Sequence, residues 1–416
     1  MILGGLTRNR DFLKLWSGQA ISKIGSAITS VGIPLAAATV LHATPWEMGL
    51  LTGASGAGVL VFGLFAGAWA DRMRRRPIMI ATDLARAALI ATIPLAAAMG
   101  RLGMVQLYVV ATLAGALTVL FDASYQAYIP SLVGRGELVE ANSKLALTGS
   151  IADITGPGLT GLLIQLITAP AAILLDALSF LFSAVSIWAI GAPEGHPASE
   201  EASASPDILR EIGEGLRVSW SNAVLRALLV RAGLGAFSLG FIGGLYFLFA
   251  VRDLHLTAIP LGIIVSVGGA SSLLGALAAD RTQRRFGVGR TLIGAAWLTA
   301  ASMLMVPLAR GPVAVAAGML IASQLGDMAW PVYSITETSL MQSITPDHLL
   351  GRVSSAIHLL FQGAVPLGAV AGGALAEVIG IRATMFCGAF AYLVCTAWFT
   401  FSAIGQVREM PLAPVV

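Results

Sequence analysis

Charge is what this chain has least of. Asp, Glu, Lys and Arg together make up 11% of its 416 residues, where a soluble globular domain carries roughly a quarter. So few charges cannot hydrate a whole surface, and a free-standing water-soluble fold is excluded. Lysine is scarcer still: Lys14, Lys23 and Lys144 follow Leu, Ser and Ser, so there is no Gly-Lys pair and no P-loop. The two cysteines, Cys387 and Cys395, stand eight residues apart in one apolar run, about 12 Å along a helix, which is too far for a disulfide within it. The five histidines, His42, His196, His255, His348 and His358, form no metal-spaced group, so no metal site is expected. The net charge of +3 is spread without a basic patch broad enough for nucleic acid. Met1 to Gly5 lack the basic start of a cleavable signal, and the N-terminus is expected to stay in the cytoplasm.

What remains is apolar. The chain is 56% hydrophobic with a mean hydropathy of +0.83, and its 47 glycines suit helices packed closely in lipid. The reading is an all-α integral membrane protein acting as a monomer in the lipid bilayer. Spans long enough for a hydrocarbon core of about 30 Å fall at roughly 14–40, 47–70, 78–99, 105–128, 143–166 and 170–191. A second six fall at 224–251, 258–279, 290–309, 312–335, 353–378 and 383–405. Twelve transmembrane helices as two six-helix bundles follow, with domains at 1–190 and 223–405, a cytoplasmic linker at 191–222 and a cytoplasmic tail at 406–416. With both termini inside, the cytoplasmic side collects Arg8, Arg10, Lys14, the Arg72 to Arg76 cluster, Arg281, Arg284 and Arg285, while the other side holds Arg101, Arg252, Arg310 and Arg382.

The two halves repeat one design. Span 2 ends in Gly67-Ala68-Trp69-Ala70-Asp71-Arg72-Met73-Arg74-Arg75-Arg76, and 209 residues later Asp280-Arg281-Thr282-Gln283-Arg284-Arg285 reproduces Asp71, Arg72, Arg75 and Arg76 position for position. Small residues step by three and four along span 2 and recur along spans 5, 8 and 11, which marks the four as equivalent packing faces. In the linker, Ser205-Pro206-Asp207 reads as a helix start, and Ile208, Ile212 and Leu216 share one face of an amphipathic helix, lying on the membrane surface or solvated.

These residues resemble the major facilitator superfamily. The Gly67 to Arg76 stretch looks like its signature loop between helices 2 and 3, with the Asp280 to Arg285 stretch as the weaker counterpart. Gly156-Pro157-Gly158-Leu159-Thr160-Gly161 is similar to the antiporter motif of the drug-exporting branches. The stretches Asn9 to Trp16, Glu140-Ala141-Asn142, Asp176-Ala177-Leu178-Ser179-Phe180 and Thr345 to Arg352 point to the branch of the enterobactin exporter and macrolide efflux proteins. The resemblance implies alternating access, a substrate cavity lined by helices 1, 4, 7 and 10, and export coupled to proton entry. Many relatives carry an acid in helix 1 after a Ser-x-x-Gly step, whereas here Ser22-Lys23-Ile24-Gly25 leads to Ser26, so the proton carrier must lie elsewhere.

In the signature loop, Asp71 and Arg75 are i and i+4 if the hairpin is helical. Asp122 near the end of span 4 is within reach of the arginines, so Gly67, Asp71, Arg72, Arg75, Arg76 and Asp122 are expected to form a conformational latch. Asp153 in span 5 and Asp327 in span 10 are the expected proton-coupling carboxylates, since a charge at such depth must face the interior. Asp176, Glu337 and Glu377 read as span-end residues. Gln19, Ser22, Lys23, Tyr125, Phe237, Tyr246, Trp330 and Tyr333 are the expected cavity groups, a largely apolar set suited to amphiphilic organic molecules. Lys23 favours pairing with an acid, or an anionic cargo. The Gly156 to Gly161 stretch also fits G-x-G-x-x-G, but no strand precedes it, so no dinucleotide site, no cofactor and no enzyme is expected. A drug or secondary-metabolite exporter driven by protons is the reading; a siderophore or lysophospholipid mover, or a receptor without transport, are its rivals.

Overall fold

The computed structural model describes residues 5–192 and 208–410, the side chains at 7, 64–72, 135, 208 and 209 excepted. Among the described residues there is no strand, as expected of a chain that must satisfy its backbone within lipid. The α-helices run α1 (Arg10–Thr39), α2 (Pro45–Arg72), α3 (Arg75–Ala98), α4 (Met104–Leu132), α5 (Leu138–Ile167) and α6 (Ala169–Trp188). They continue as α7 (Ile208–Ser221), α8 (Ala223–Gly243), α9 (Tyr246–Arg252), α10 (Ala258–Phe286), α11 (Val288–Leu308), α12 (Val313–Gln324), α13 (Ala329–Ile344), α14 (Asp347–Ile379) and α15 (Ile381–Thr400). Eleven spans among the described residues are long and apolar enough to cross a bilayer, with α8 and α9 counting as one and α12 and α13 as another. The 28-residue α2 takes the second place in the order, which completes the twelve.

Helix ends follow from local chemistry. Asn9 caps α1 by accepting from the Asp11 and Phe12 amides at 3.1 Å, and Asn222 caps α8 in the same way through Val224 and Leu225. Between α5 and α6 the chain turns at Thr168 with φ 107°, and between α14 and α15 at Gly380 with φ 83°. The corresponding turns of the two halves thus use the same left-handed backbone, at a steric cost in the first and without one in the second.

Packing divides the chain into two compact units, one of Met1–Ala43, Ala54–Ala204 and Thr257–Ser266, the other of Thr44–Gly53, Ser205–Leu256 and Val267–Val416. In the first, α1 lies along α5 and α6, and α3 along α4 and α6. Gly18, Gly25 and Gly32, spaced by seven, form the α1 face that meets Ser183, Ser179 with Asp176, and Ile173 of α6. In the second, α8 lies along α14 and α15, and α11 along α13 and α15, around a core that includes Leu228, Leu292, Leu340 and Phe399. There α7 docks on α14 through Gly215, where an added Cβ would collide with the Arg352 carbonyl, and Glu214 pairs with Arg352 at 3.0 Å. Leu216 is left exposed, so the buried face of α7 is set by Gly215 and Ser219 rather than by the expected apolar row. The helix-start residues Ser205, Pro206 and Asp207 lie outside the described residues.

The small faces meet as pairs. Within the first unit Gly161 of α5 and Gly262 of α10 touch backbone to backbone, and within the second Gly49 of α2 and Gly373 of α14 do the same.

Candidate functional site

The two basic loops share a sequence and not a backbone. The helical hairpin expected for the first is not formed: α2 ends at Arg72, the chain bends at Met73 and Arg74, and α3 starts at Arg75, so Asp71 and Arg75 are on different helices. The side chains of Gly67, Asp71 and Arg72 lie outside the described residues. Arg76 donates to the Ile187 carbonyl at 3.1 Å and to that of Trp188, so it holds the carboxyl end of α6, where the helix presents unpaired carbonyls and partial negative charge. In the second copy α10 continues through to Phe286, and Asp280 and Arg284 form the i,i+4 pair at 2.8 Å. That pair is exposed, as is Arg281, and Arg285 lies over the Phe286 ring at 5.5 Å.

The end of α6 is held a second time. Lys14 donates to the Ala189 carbonyl at 2.6 Å and to Asp11 at 2.8 Å, while Asp11 accepts from the amides of Gly191 and Ala192. Trp16 donates to Thr148 at 2.8 Å, and Lys144, paired with Glu140 at 3.4 Å, lies over the Trp16 ring. The Asn9 to Trp16 and Glu140 to Asn142 stretches thus act together, tying α1 to α5 and α6.

The buried charge centre of the first unit was missed in sequence. Asp83 and Arg86 of α3 form an ion pair with both side chains almost wholly enclosed. Arg86 is held between the Phe121 ring at 4.5 Å and the Phe180 ring at 4.2 Å and donates to Thr118 at 3.3 Å. Asp122 and Asp176 also act on this guanidinium. Asp176 is not a span-end residue: it sits mid-α6, 1% exposed, accepting from Ser179 at 3.0 Å, and Gly25 makes room for it against α1. The i,i+3 spacing of Asp83 and Arg86 was a readable signal.

The second unit has its own buried arginine. Arg231 of α8 donates to the Tyr392 hydroxyl and lies over the rings of Tyr333 at 4.9 Å, Tyr392 at 4.7 Å and Phe399 at 5.7 Å. Glu337, half-buried on α13, accepts from Tyr333 at 3.4 Å and acts electrostatically on Arg231, so it faces this cluster and is not a span-end residue. Glu377 accepts from the Trp46 amide at 3.0 Å and is exposed.

The expected proton carriers are more open than these. Asp153 is exposed on α5 with Lys23 as its cation. Asp327 falls in the 3-10 turn Leu325–Met328 between α12 and α13, exposed, with Gly268 close to its carboxylate. Lys23 is exposed on α1 and acts on both Asp122 and Asp153. Of the expected cavity groups, Gln19 is buried and donates to Ser183 at 3.2 Å, and Ser22 is buried. Tyr125 stacks on Phe121, and Phe237 packs edge-on to Phe241. Tyr246 lies near Asp327 with its hydroxyl buried and without a hydrogen-bond partner. Trp330 is 49% exposed beside Phe361, and Tyr333 belongs to the Arg231 cluster.

The motif on α5 joins three helices. Gly156 meets Ala27 of α1, the Gly158 amide donates to Ser266 of α10 at 2.9 Å, and the Pro157 carbonyl and Gly161 lie against Gly262.

Residues 6–415 match the family model described as transmembrane secretion effector. The chain is 29% identical to the multidrug efflux pump Tap of Mycolicibacterium fortuitum over 85% of this chain and 86% of that protein. It is 26% identical to macrolide efflux protein A of Streptococcus pyogenes over 96% and 97%. Among solved structures it is similar to a mutant form of the nucleoside transporter NupG, with a TM-score of 0.75 at 12% identity over 94% of this chain and 99% of that one. A bacterial homologue of the iron transporter ferroportin gives 0.73 at 17% identity over 94% and 98%. The solved structures carry the likeness of fold.

Proposed function

The chain belongs to the transmembrane secretion effector family of major facilitator transporters, and from that premise we propose that it exports an amphiphilic drug or secondary metabolite by proton antiport with alternating access. It works as a monomer in the bacterial inner membrane with both termini in the cytoplasm. The observation that carries this reading is the similarity along nearly the whole chain to proteins named for multidrug and macrolide efflux.

The first basic loop, with Gly67, Asp71, Arg72, Arg75 and Arg76, acts as the latch, and Asp280, Arg281, Arg284 and Arg285 act as its weaker copy; Asp122, which the sequence also assigned to the latch, has Lys23 and Arg86 as its cations in this structure. Gly156, Pro157 and Gly161 give α5 its freedom to flex, because Pro157 removes one backbone hydrogen bond between the point where Gly156 meets Ala27 of α1 and the point where Gly161 meets Gly262 of α10. Asp327 and Asp153 serve as coupling carboxylates: each can exchange a proton with water in one state and be enclosed in the other. A membrane potential supplies about 2.3 kcal/mol per charge per 100 mV, enough to sustain an uphill gradient of neutral cargo. The exposed Lys23 offers a counter-charge to an anionic cargo, so siderophore and lysophospholipid remain the cargoes to compare.

The test uses proteoliposomes with an imposed proton gradient and ethidium or erythromycin as probe. Wild-type protein is expected to accumulate the probe uphill, and Asp327→Asn or Asp153→Asn to abolish accumulation while leaving downhill exchange measurable. Full proton-driven accumulation in both variants would move the coupling site elsewhere. No gradient-driven movement of either probe by wild-type protein would overturn the drug-export reading.

A further inference from the structure

We infer that the recess between the amino-terminal end of α8 and the carboxyl end of α15 binds an acidic membrane phospholipid, with Arg226 on its phosphate and the outward faces of the two helices along an acyl chain. The recess has a volume of about 170 Å³ and lies between Arg226 of α8 and Trp398 and Phe401 of α15, with Ser402 and Ala403 at its rim. Its lining holds a cation and aromatic rings and no acid. Arg226 is exposed, and among the described residues its hydrogen bond is the one from Nη1 to the Trp220 carbonyl at 3.3 Å, with no carboxylate in ion-pair range. A guanidinium presents its N–H donors as a planar fork that fits two phosphate oxygens, and one bond to a carbonyl leaves most of them available. The same bond brings the end of α7 to the recess. There Arg217 and Trp220 stand a turn apart on the exposed face, Trp220 at 58%, while Glu214, the acid a turn before Arg217, is taken by Arg352 at 3.0 Å.

Apolar stripes lead away from this cation. On α15, Phe401, Trp398, Val394 and Phe390 follow one another at steps of three and four, all exposed, Phe401 at 89%. On α8, Arg226 is followed at steps of four by half-buried Val230 and exposed Leu234. The helices are antiparallel neighbours, since Arg231 bonds Tyr392 and Gly388 meets Ser238. The site therefore has its charge at the end of two spans and an apolar trough running from it along them. Those are the groups of a glycerophospholipid in their own order, at the level where tryptophan and arginine meet headgroups. An acidic headgroup is favoured over a zwitterionic one, because the ammonium of the latter would be brought against Arg226 and Arg217. A free anion would leave the trough uncovered.

The site is independent of what the protein exports, so its test needs no cargo. Purified full-length protein in detergent is titrated with phosphatidylglycerol or phosphatidylcholine carrying brominated chains, which quench tryptophan fluorescence on contact. The part of the quenching that Trp398→Phe removes reports the recess. In wild-type protein that part is expected to reach half-saturation at a lower concentration of phosphatidylglycerol than of phosphatidylcholine. Arg226→Gln is expected to weaken phosphatidylglycerol binding about fivefold, the effect of one arginine at a membrane surface, and Arg226→Lys, which keeps the charge, to preserve the preference. Inorganic phosphate is expected not to displace the brominated lipid. Equal binding of the two lipids, no quenching that depends on Trp398, or a preference that Arg226→Gln leaves intact overturns the site. Displacement by inorganic phosphate would make it an anion site without a chain, and overturns the lipid assignment.

Discussion

At the scale of single residues, identical letters do different work in the two basic loops. Arg76 holds the carboxyl end of α6, whereas Arg285, its sequence counterpart, lies over a neighbouring ring. Two hydrogen bonds from a charged donor are worth about 1–3 kcal/mol each at most when partly buried. Arg76→Ala is therefore expected to lower the unfolding temperature in detergent by several degrees, and Arg285→Ala to leave it unchanged within error. Differential scanning fluorimetry on the two purified variants decides it. The same asymmetry bears on export. Asp71→Asn is expected to abolish most transport with the protein level intact, and Asp280→Asn, which disrupts only an exposed pair, to do less; equal losses in a cell-based probe-efflux assay would remove the asymmetry.

At the scale of elements, α1 is positioned by what it omits. The side-chain-free positions Gly18, Gly25 and Gly32 let α6 approach, and a Cβ at Gly25 would lie 2.2 Å from Ser179 Oγ and 2.6 Å from Asp176 Oδ1. Neither atom can retreat freely, because both face the packed α1 backbone. Gly25→Ala is expected to destabilise by about 1–3 kcal/mol, the range of an overpacked core. Gly149→Ala is the control: nothing lies within 4 Å of its Cβ, and in a helix interior alanine gains about 0.5–1 kcal/mol over glycine. Chemical or thermal unfolding of both variants in one detergent would show opposite signs. Gly25 was visible in the Ser22-x-x-Gly25 step, yet that step drew attention to the missing helix-1 acid and not to the α6 acid whose place Gly25 provides.

At the scale of the whole molecule, the distribution of arginine and lysine is the basis for the orientation proposed above, which the fold does not display by itself. If both termini and the 191–222 linker lie in the cytoplasm, a His196→Cys probe in a background lacking Cys387 and Cys395 is expected to resist an impermeant thiol reagent in intact cells. It should react once the membrane is opened. Labelling in intact cells would reverse the topology. The matched spans of the two halves, the turns at Thr168 and Gly380, and the glycine pairs Gly161 with Gly262 and Gly49 with Gly373 are consistent with one repeat used twice.

By itself the sequence determined the class of the molecule: a membrane protein of twelve helices in two related halves, with charged loops and small packing faces in set places. Those properties are local, since a run of about twenty apolar residues and a break of arginines can each be read without knowing their neighbours in space. The tertiary structure alone decided which charges meet. Asp176 looked like a span-end acid because its partners, Arg86 of α3 and the Gly25 face of α1, are remote in sequence, and Glu337 looked the same for want of Arg231 on α8. It also decided where the first hairpin bends, because Arg76 reaches the carbonyls of α6 from the start of α3, a contact 111 residues away along the chain that no reading of the loop contains.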